Sequence, residues 1–222
     1  MFRKVLVSTL LVLAVTSPAW AQTTPKVSVS VLFGYTLADG VSGDPFKAAD
    51  GNTYDRVDPK DSMMLGISGG FFVTPSAEVG FMWRYQPTTM QVSGTKKTDL
   101  GDSNINGYHA YFAYNFGDPE GKVRPYILGG IGATHYGGFS FKSPDGSTQQ
   151  AGSETQFSTT WGGGVKLYPS PKVGFQAGVQ WTPTYIKSDP NGWWCGWYGC
   201  YVVSDAQYSN QFEFIGGVTF RF

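Results

Sequence analysis

Six ionisable residues in this chain fall on rows that otherwise carry small polar side chains: Glu78, Arg84, His109, Lys166, Glu213 and Arg221. Three kinds of chemistry are open to them. His109 with a serine and Glu78 or Glu213 would make a nucleophile, base and acid relay, but no serine here sits in a motif that marks a nucleophile. The two histidines could share a metal. Against that, a turn centred near Pro119 would set residue 109 opposite about residue 130, leaving His135 roughly 17 Å further along its strand. The third option is charge pairing in a narrow space, with Glu78, Lys166 and Arg221 at one level and Arg84 and Glu213 at another. Such a network is either a plug or a gated polar path. The expectation is a plug, with no catalytic residue, no metal and no cofactor.

A second group is contiguous: residues 191–201 read NGWWCGWYGCY. Cys195 and Cys200 are the only cysteines. Their compartment follows from the start of the chain, where Arg3 and Lys4 precede an apolar run over residues 5–15 and the small-x-small ending Ala19-Trp20-Ala21. That is the layout of a secretory signal peptide over residues 1–21, cleaved after Ala21, and its run is too short to span a bilayer. In an exported chain the two cysteines are expected to form an intraloop disulfide. Zinc would need two further ligands that the neighbourhood lacks. Trp193, Trp194, Trp197, Tyr198 and Tyr201 around that ring are the candidate ligand-binding residues, since rigid aromatics give contact area at low entropic cost. The plainer alternative is that they fold back onto interfacial lipid. Asp39, Asp44, Asp50, Asp55, Asp58 and Asp61 lie on an earlier stretch with Lys47, Arg56 and Lys60; their spacing does not match a calcium loop, so a solvated surface loop is expected.

Eight alternating segments must position these groups: residues 26–38, 62–73, 77–88, 104–116, 123–135, 156–168, 173–186 and 209–222. In the last, Phe212, Phe214, Val218, Phe220 and Phe222 share one face and Glu213, Thr219 and Arg221 the other, which is strand periodicity. The fifth is ambiguous, because Tyr126 and Leu128 lie on one row, Ile127 and Ile131 on the other, and three glycines dilute both. Connections alternate long and short along the chain. An even strand count, terse turns at one end and long loops at the other describe a transmembrane β-barrel.

The polar face, with Glu78, Arg84, His109, Asn115, Lys166, Gln176 and Gln180, would be a poor hydrophobic core, while the apolar face would be insoluble in water. The greasy face must therefore meet lipid. Aromatics also gather at the strand ends, Tyr35, Trp83, Tyr85, Trp161, Trp181 and Tyr185 toward the loops and Phe116, Phe175, Phe220 and Phe222 toward the turns, as two bilayer interfaces select. Composition agrees: 30 glycines, 16% aromatics and 201 residues after the leader suit one all-β domain. Removing Arg3 and Lys4 leaves 14 basic against 16 acidic residues, with no basic run, which argues against nucleic acid as a partner.

Together with the leader and the eight strands, the Arg124-Pro125-Tyr126 opening of the fifth segment, its glycine-rich continuation to Ala133 and the closing Val218-Thr219-Phe220-Arg221-Phe222 resemble the small outer-membrane β-barrels of the OmpA and OmpX type. The resemblance implies an all-β, eight-stranded antiparallel up-and-down transmembrane barrel over residues 22–222, without a peptidoglycan-binding domain, in the bacterial outer membrane. It implies that Phe222 belongs to the signal read by the barrel assembly machinery. Outer-membrane lipid and lipopolysaccharide are the expected surroundings, and a monomer the expected state. The expected function is non-enzymatic: a contribution to outer-membrane structure, with ligand or surface binding through extracellular loops. The rival is a narrow porin-like channel or a conduit for small hydrophobic molecules, as in the related OmpW-like barrels.

Overall fold

The structure is a computed structural model and describes residues 25–47, 51–142, 148–186, 194–196, 199–201 and 207–222. The leader expected over residues 1–21 lies outside them, as do Trp193, Trp197 and Tyr198. Fourteen strands are described: β1 Val27–Ala38, β2 Val41–Lys47, β3 Thr53–Pro59, β4 Ser62–Phe72, β5 Ala77–Gly94, β6 Thr98–Asn115, β7 Val123–Tyr136, β8 Phe139–Lys142, β9 Thr148–Ala151, β10 Glu154–Leu167, β11 Val173–Ile186, β12 Trp194–Gly196, β13 Gly199–Tyr201 and β14 Gln207–Arg221. Eight of them close a cycle, β1-β4-β5-β6-β7-β10-β11-β14 and back to β1, with every neighbour antiparallel. Closure leaves no barrel edge unpaired, which is what a bilayer core without water demands. Among the described residues no helix is long and apolar enough to cross a membrane, a fact that does not bear on strands.

The barrel is turned inside out. Phe81, Ile131 and Phe214 are 53%, 63% and 52% exposed, whereas Glu78, Arg84 and Glu213 are 2%, 3% and 3% exposed. Near the loop end the outward tryptophans keep a polar handle, as interfacial side chains do. Trp83 Nε1 donates to Asn106 Oδ1 at 3.2 Å and Trp181 Nε1 to Asn210 Oδ1 at 3.0 Å. Two outward glycines are roofed by rings from neighbouring strands. A Cβ on Gly129 would come within 3.1 Å of the Trp161 ring, and one on Gly216 within 2.9 Å of Phe33. An aromatic laid across a glycine restores the contact surface that the missing side chain gives up.

Three differences from the sequence reading concern the strands that carry the lumen and the first loop. First, β7 has definite faces: Arg124, Tyr126 and Thr134 point in, while Val123, Ile127 and Ile131 point to lipid. Second, β5 runs to Gly94 and β6 starts at Thr98, although the alternation ends at Thr88 and resumes at Asn104. Third, the polar stretch over residues 39–61 is not simply solvated loop. It holds the β2–β3 hairpin, whose β3 pairs with the upper part of β5.

One cause underlies the last two. Tyr54, Val57, Met90, Val92 and Phe139 form a small core beyond the membrane band, and Val57 sits opposite Val92 on the extended sheet. Charges tie the hairpin down. Arg56 pairs with both Asp39 and Asp58. The hydrogen bond it donates to Asp58, together with the two carboxylate charges, holds the Arg56 guanidinium above its ordinary pKa despite partial burial.

Candidate functional site

The expected lumen residues are all on strands of the closed cycle, and the alternation that sends Phe and Val to lipid sends them inward. At the loop-end level, Arg84 on β5 pairs with Glu213 on β14, and Arg84 Nη2 donates to Thr182 Oγ1 at 3.0 Å. The same nitrogen stands 3.4 Å from His109 Nδ1. A guanidinium only donates. Nδ1 is therefore the accepting nitrogen, and the ring hydrogen sits on Nε2, which donates to Ser158 Oγ at 2.8 Å. Thr134 Oγ1 also donates to Ser158 Oγ, at 2.9 Å, and Thr184 Oγ1 to Thr134 Oγ1, at 3.1 Å.

This arrangement brings a histidine and a serine together with the wrong polarity for acyl transfer. A general base needs a bare Nε2 facing the hydroxyl and an Nδ1–H facing a carboxylate. Here an arginine occupies the carboxylate's place. The second histidine is elsewhere: His109 lies opposite Gly132, two positions beyond the expected partner, and His135 lies opposite Asn106. His109 points in, while His135 points out and bonds Thr155 Oγ1 at 2.8 Å. That register shortens the separation along the strand from the expected value of roughly 17 Å to three residues, about 10 Å, and it is the opposite faces that keep the two apart. Among the described residues no group of three or more His, Cys, Asp or Glu could hold a metal ion.

The turn-end level centres on Glu78. Its Oε1 accepts from Ser28 Oγ and from Tyr111 OH, both at 2.6 Å, and its Oε2 from Lys166 Nζ at 2.9 Å. Lys166 Nζ also lies 5.2 Å from the centre of the Tyr126 ring. Below this pair, toward the short turns, Arg124 Nη2 donates to the carbonyls of Pro75 and Asn115 at 3.0 and 3.2 Å. Arg221 stacks on Tyr168, its guanidinium carbon 3.5 Å from the ring centre.

Apolar side chains separate and cap the polar levels. Leu32, Met64 and Ile215 pack together in the lumen, with Met82, Tyr111 and Ala113 as a neighbouring cluster. At the loop mouth Val41, Ile105, Tyr136 and Ile186 form a lid. Val41 is carried there by the first loop, which is strapped to β14. Asp39 N donates to Asn210 O at 2.7 Å, Ser209 Oγ to Asp39 O at 2.8 Å, and the Gln207 amide makes both bonds of a strand partner with the Ser42 backbone, at 2.9 and 2.8 Å. Among the described residues a void of about 40 Å³ lies beside Glu78, Met82, Tyr111 and Lys166, space on the scale of water molecules and not of a larger solute.

Sequence reasoning missed Tyr111, Tyr126, Tyr168 and Arg124. Tyr111 shares a row with His109, which is the signal that could have found it. Arg124 opens the segment whose faces were unassigned. Large inward side chains fit because glycines stand across from them: a Cβ on Gly80 would meet the Tyr111 ring at 2.6 Å, and one on Gly178 the Tyr126 hydroxyl at 2.8 Å.

Of the aromatic loop, the backbone of β12 and β13 is described. It forms an antiparallel hairpin with Trp194 opposite Tyr201, Cys195 opposite Cys200 and Gly196 opposite Gly199. At the other end Phe222 is on the outer face, and its carbonyl oxygen accepts from Lys26 N at 2.7 Å and Val27 N at 3.1 Å.

With this geometry in hand, the likenesses to known proteins can be placed. The family model described as outer membrane protein beta-barrel domain matches residues 7–222. No curated protein sequence matches the chain. The outer membrane protein OprG of Pseudomonas aeruginosa is similar in structure at 14% identity and a TM-score of 0.58, covering 89% of this chain and 97% of OprG. Neisserial surface protein A is similar at 15% identity and a TM-score of 0.54, covering 88% of this chain and 97% of that one. At such identities the likeness is one of fold.

Proposed function

Because this chain belongs to the family of outer-membrane β-barrel proteins, we propose that it is a non-enzymatic structural barrel of the bacterial outer membrane whose long loops bind ligands or surfaces. Short turns face the periplasm and long loops the exterior, as in barrels of this kind. The observation that carries the reading is the filled lumen: paired charges at two levels, apolar layers between and above them, and a void of about 40 Å³. The reversed polarity at His109 and Ser158 supports the absence of hydrolytic chemistry. In this reading the leader is removed after Ala21, Phe222 is read by the assembly machinery, and the mature barrel is a monomer in lipid and lipopolysaccharide.

The test is single-channel recording of the refolded mature chain in a planar bilayer, with heat-dependent gel migration as the check of closure. The expected result is a folded, silent barrel. Reproducible conductance steps that change in Arg84→Ala or Glu213→Ala would instead establish a gated path. The band of Leu32, Met64, Met82 and Ile215 inside the barrel favours a second reading, a conduit for small hydrophobic molecules. That reading requires the Val41 lid to move, so Val41→Gly should raise uptake of such a molecule if it is right and leave uptake unchanged if the lumen is a plug.

For the loops, the residues assigned to binding are Trp193, Trp194, Trp197, Tyr198 and Tyr201. Directly opposed residues on an antiparallel pair have Cα atoms about 4.5–5.5 Å apart, within the range a disulfide spans. The register of Cys195 against Cys200 therefore supports a disulfide that pins the hairpin. The mature protein should accept a thiol label at neither cysteine before reduction and at both after it; labelling without reductant would remove the bond from the scheme.

A further inference from the structure

The turn-end mouth carries more positive charge than its carboxylates answer. Arg124 and Arg221 are 2% and 5% exposed, yet among the described residues neither has a carboxylate within ion-pair distance. Glu78, the lumenal acid of this half, is already occupied by Lys166, Ser28 and Tyr111. Arg124 spends one Nη2 on two backbone carbonyls, and Arg221 rests on the face of Tyr168. The Nε–H of each arginine is buried and has no partner.

A buried charge without a counter-charge costs several kcal/mol, and an unmet N–H adds to that cost. Nothing in the plug function needs it. Asn115 and the carbonyl of Pro75 would satisfy a neutral side chain at position 124 as well as they do an arginine, and an aromatic lid such as Tyr168 does not need a cation on its face. Guanidinium groups do have a ligand class that fits: at Arg221 the planar edge from Nε to Nη places two donors on two oxygens of one oxyanion, and Arg124, whose Nη2 hydrogens go to the two carbonyls, adds its Nε–H and its charge. The stacking on Tyr168 fixes the plane of Arg221 and so aims that edge.

We propose that the periplasmic mouth of the barrel is an anion site in which Arg124 and Arg221 hold a phosphate group, with Tyr168 as the platform. Two sources of that chemistry reach this mouth, a free phosphate in the periplasm and the headgroup of an inner-leaflet phospholipid. The site is separate from the loops assigned to binding above, and from the Arg84–Glu213 level.

The experiment is a side-chain NMR titration of the full mature barrel, labelled with 15N-arginine, in dodecyl maltoside micelles, which carry no phosphate. Buried Nε–H groups exchange slowly and give resolved signals, assigned by their loss in Arg124→Lys and Arg221→Lys. Inorganic phosphate should shift both signals saturably, while chloride at equal ionic strength should not. Arg124→Gln should weaken the response at Arg221 by at least about tenfold. A second arm adds phosphatidic acid to those micelles and omits free phosphate; a shift in that arm assigns the site to headgroups, and a shift only with inorganic phosphate assigns it to the soluble ion. No shift in either arm, or an equal response to chloride, overturns the proposal. The wild-type titration decides the matter, so poor folding of a variant does not.

Discussion

Glu78→Ala is expected to lower the unfolding free energy of the refolded barrel by about 3–5 kcal/mol, the range for breaking a buried ion pair from one side. Glu78 is 2% exposed and accepts from Ser28, Tyr111 and Lys166, so its loss strands an ammonium and two hydroxyls in the lumen. Glu78→Gln should lie between, because the amide oxygen can still serve the hydroxyls while Lys166 loses its counter-charge. The joint change Glu78→Met with Lys166→Met should recover most of the loss, since an apolar pair of similar volume removes both charges together. Urea unfolding in lipid vesicles, followed by tryptophan fluorescence, measures all four proteins. If the single alanine variant costs less than about 1 kcal/mol, typical of an exposed pair, the lumen is wet and the plug is not one.

Gly174→Ala is expected to destabilise by about 1–3 kcal/mol through crowding, not through loss of a bond. Its Cβ would stand 2.5 and 2.6 Å from the Tyr168 ring and 3.1 Å from the carbonyl of Leu167. The ring must swing away, and Arg221 loses the surface on which it lies. Tyr168→Ala alone should also destabilise, but the two changes together should cost clearly less than their sum, because the second removes the atoms that the first collides with. Strict additivity in the same urea experiment would show that Tyr168 has room to move.

How far the sequence could be read depended on which rows were clean. Glu78, Arg84, His109, Lys166, Glu213 and Arg221 interrupt strands with strong alternation, so their inward direction followed from period alone. β7 was unreadable because Gly129, Gly130 and Gly132 contribute nothing to either face, and with it went Arg124 and Tyr126. Tyr111 is hard to place from its own strand, since an aromatic in a membrane barrel usually faces lipid; the glycines at positions 70 and 80 give an inward ring its space, and that is a cross-strand fact. The extension of β5 to Gly94 was hidden for a similar reason: Met90 and Val92 are held by Val57 and Tyr54, distant in the chain. Partner choice between charges was equally out of reach. Levels could be assigned, but that an arginine would take the nitrogen a carboxylate takes in a hydrolase depends on three strands meeting.

The seam between β1 and β14 sets a constraint on how this molecule comes to exist. Val29 lies opposite Phe220 and Leu37 opposite Phe212, so the first strand finds its second neighbour in the final residues of the chain. Contacts of such sequence separation make for slow folding. Until β14 arrives, β1 and β11 each keep an open edge, and lipid offers nothing to satisfy it. Insertion must therefore wait for β14, and the loss of even a few of its residues should act less like a local defect than like an unfastened clasp, leaving a sheet that can neither enter the bilayer nor remain safely in water.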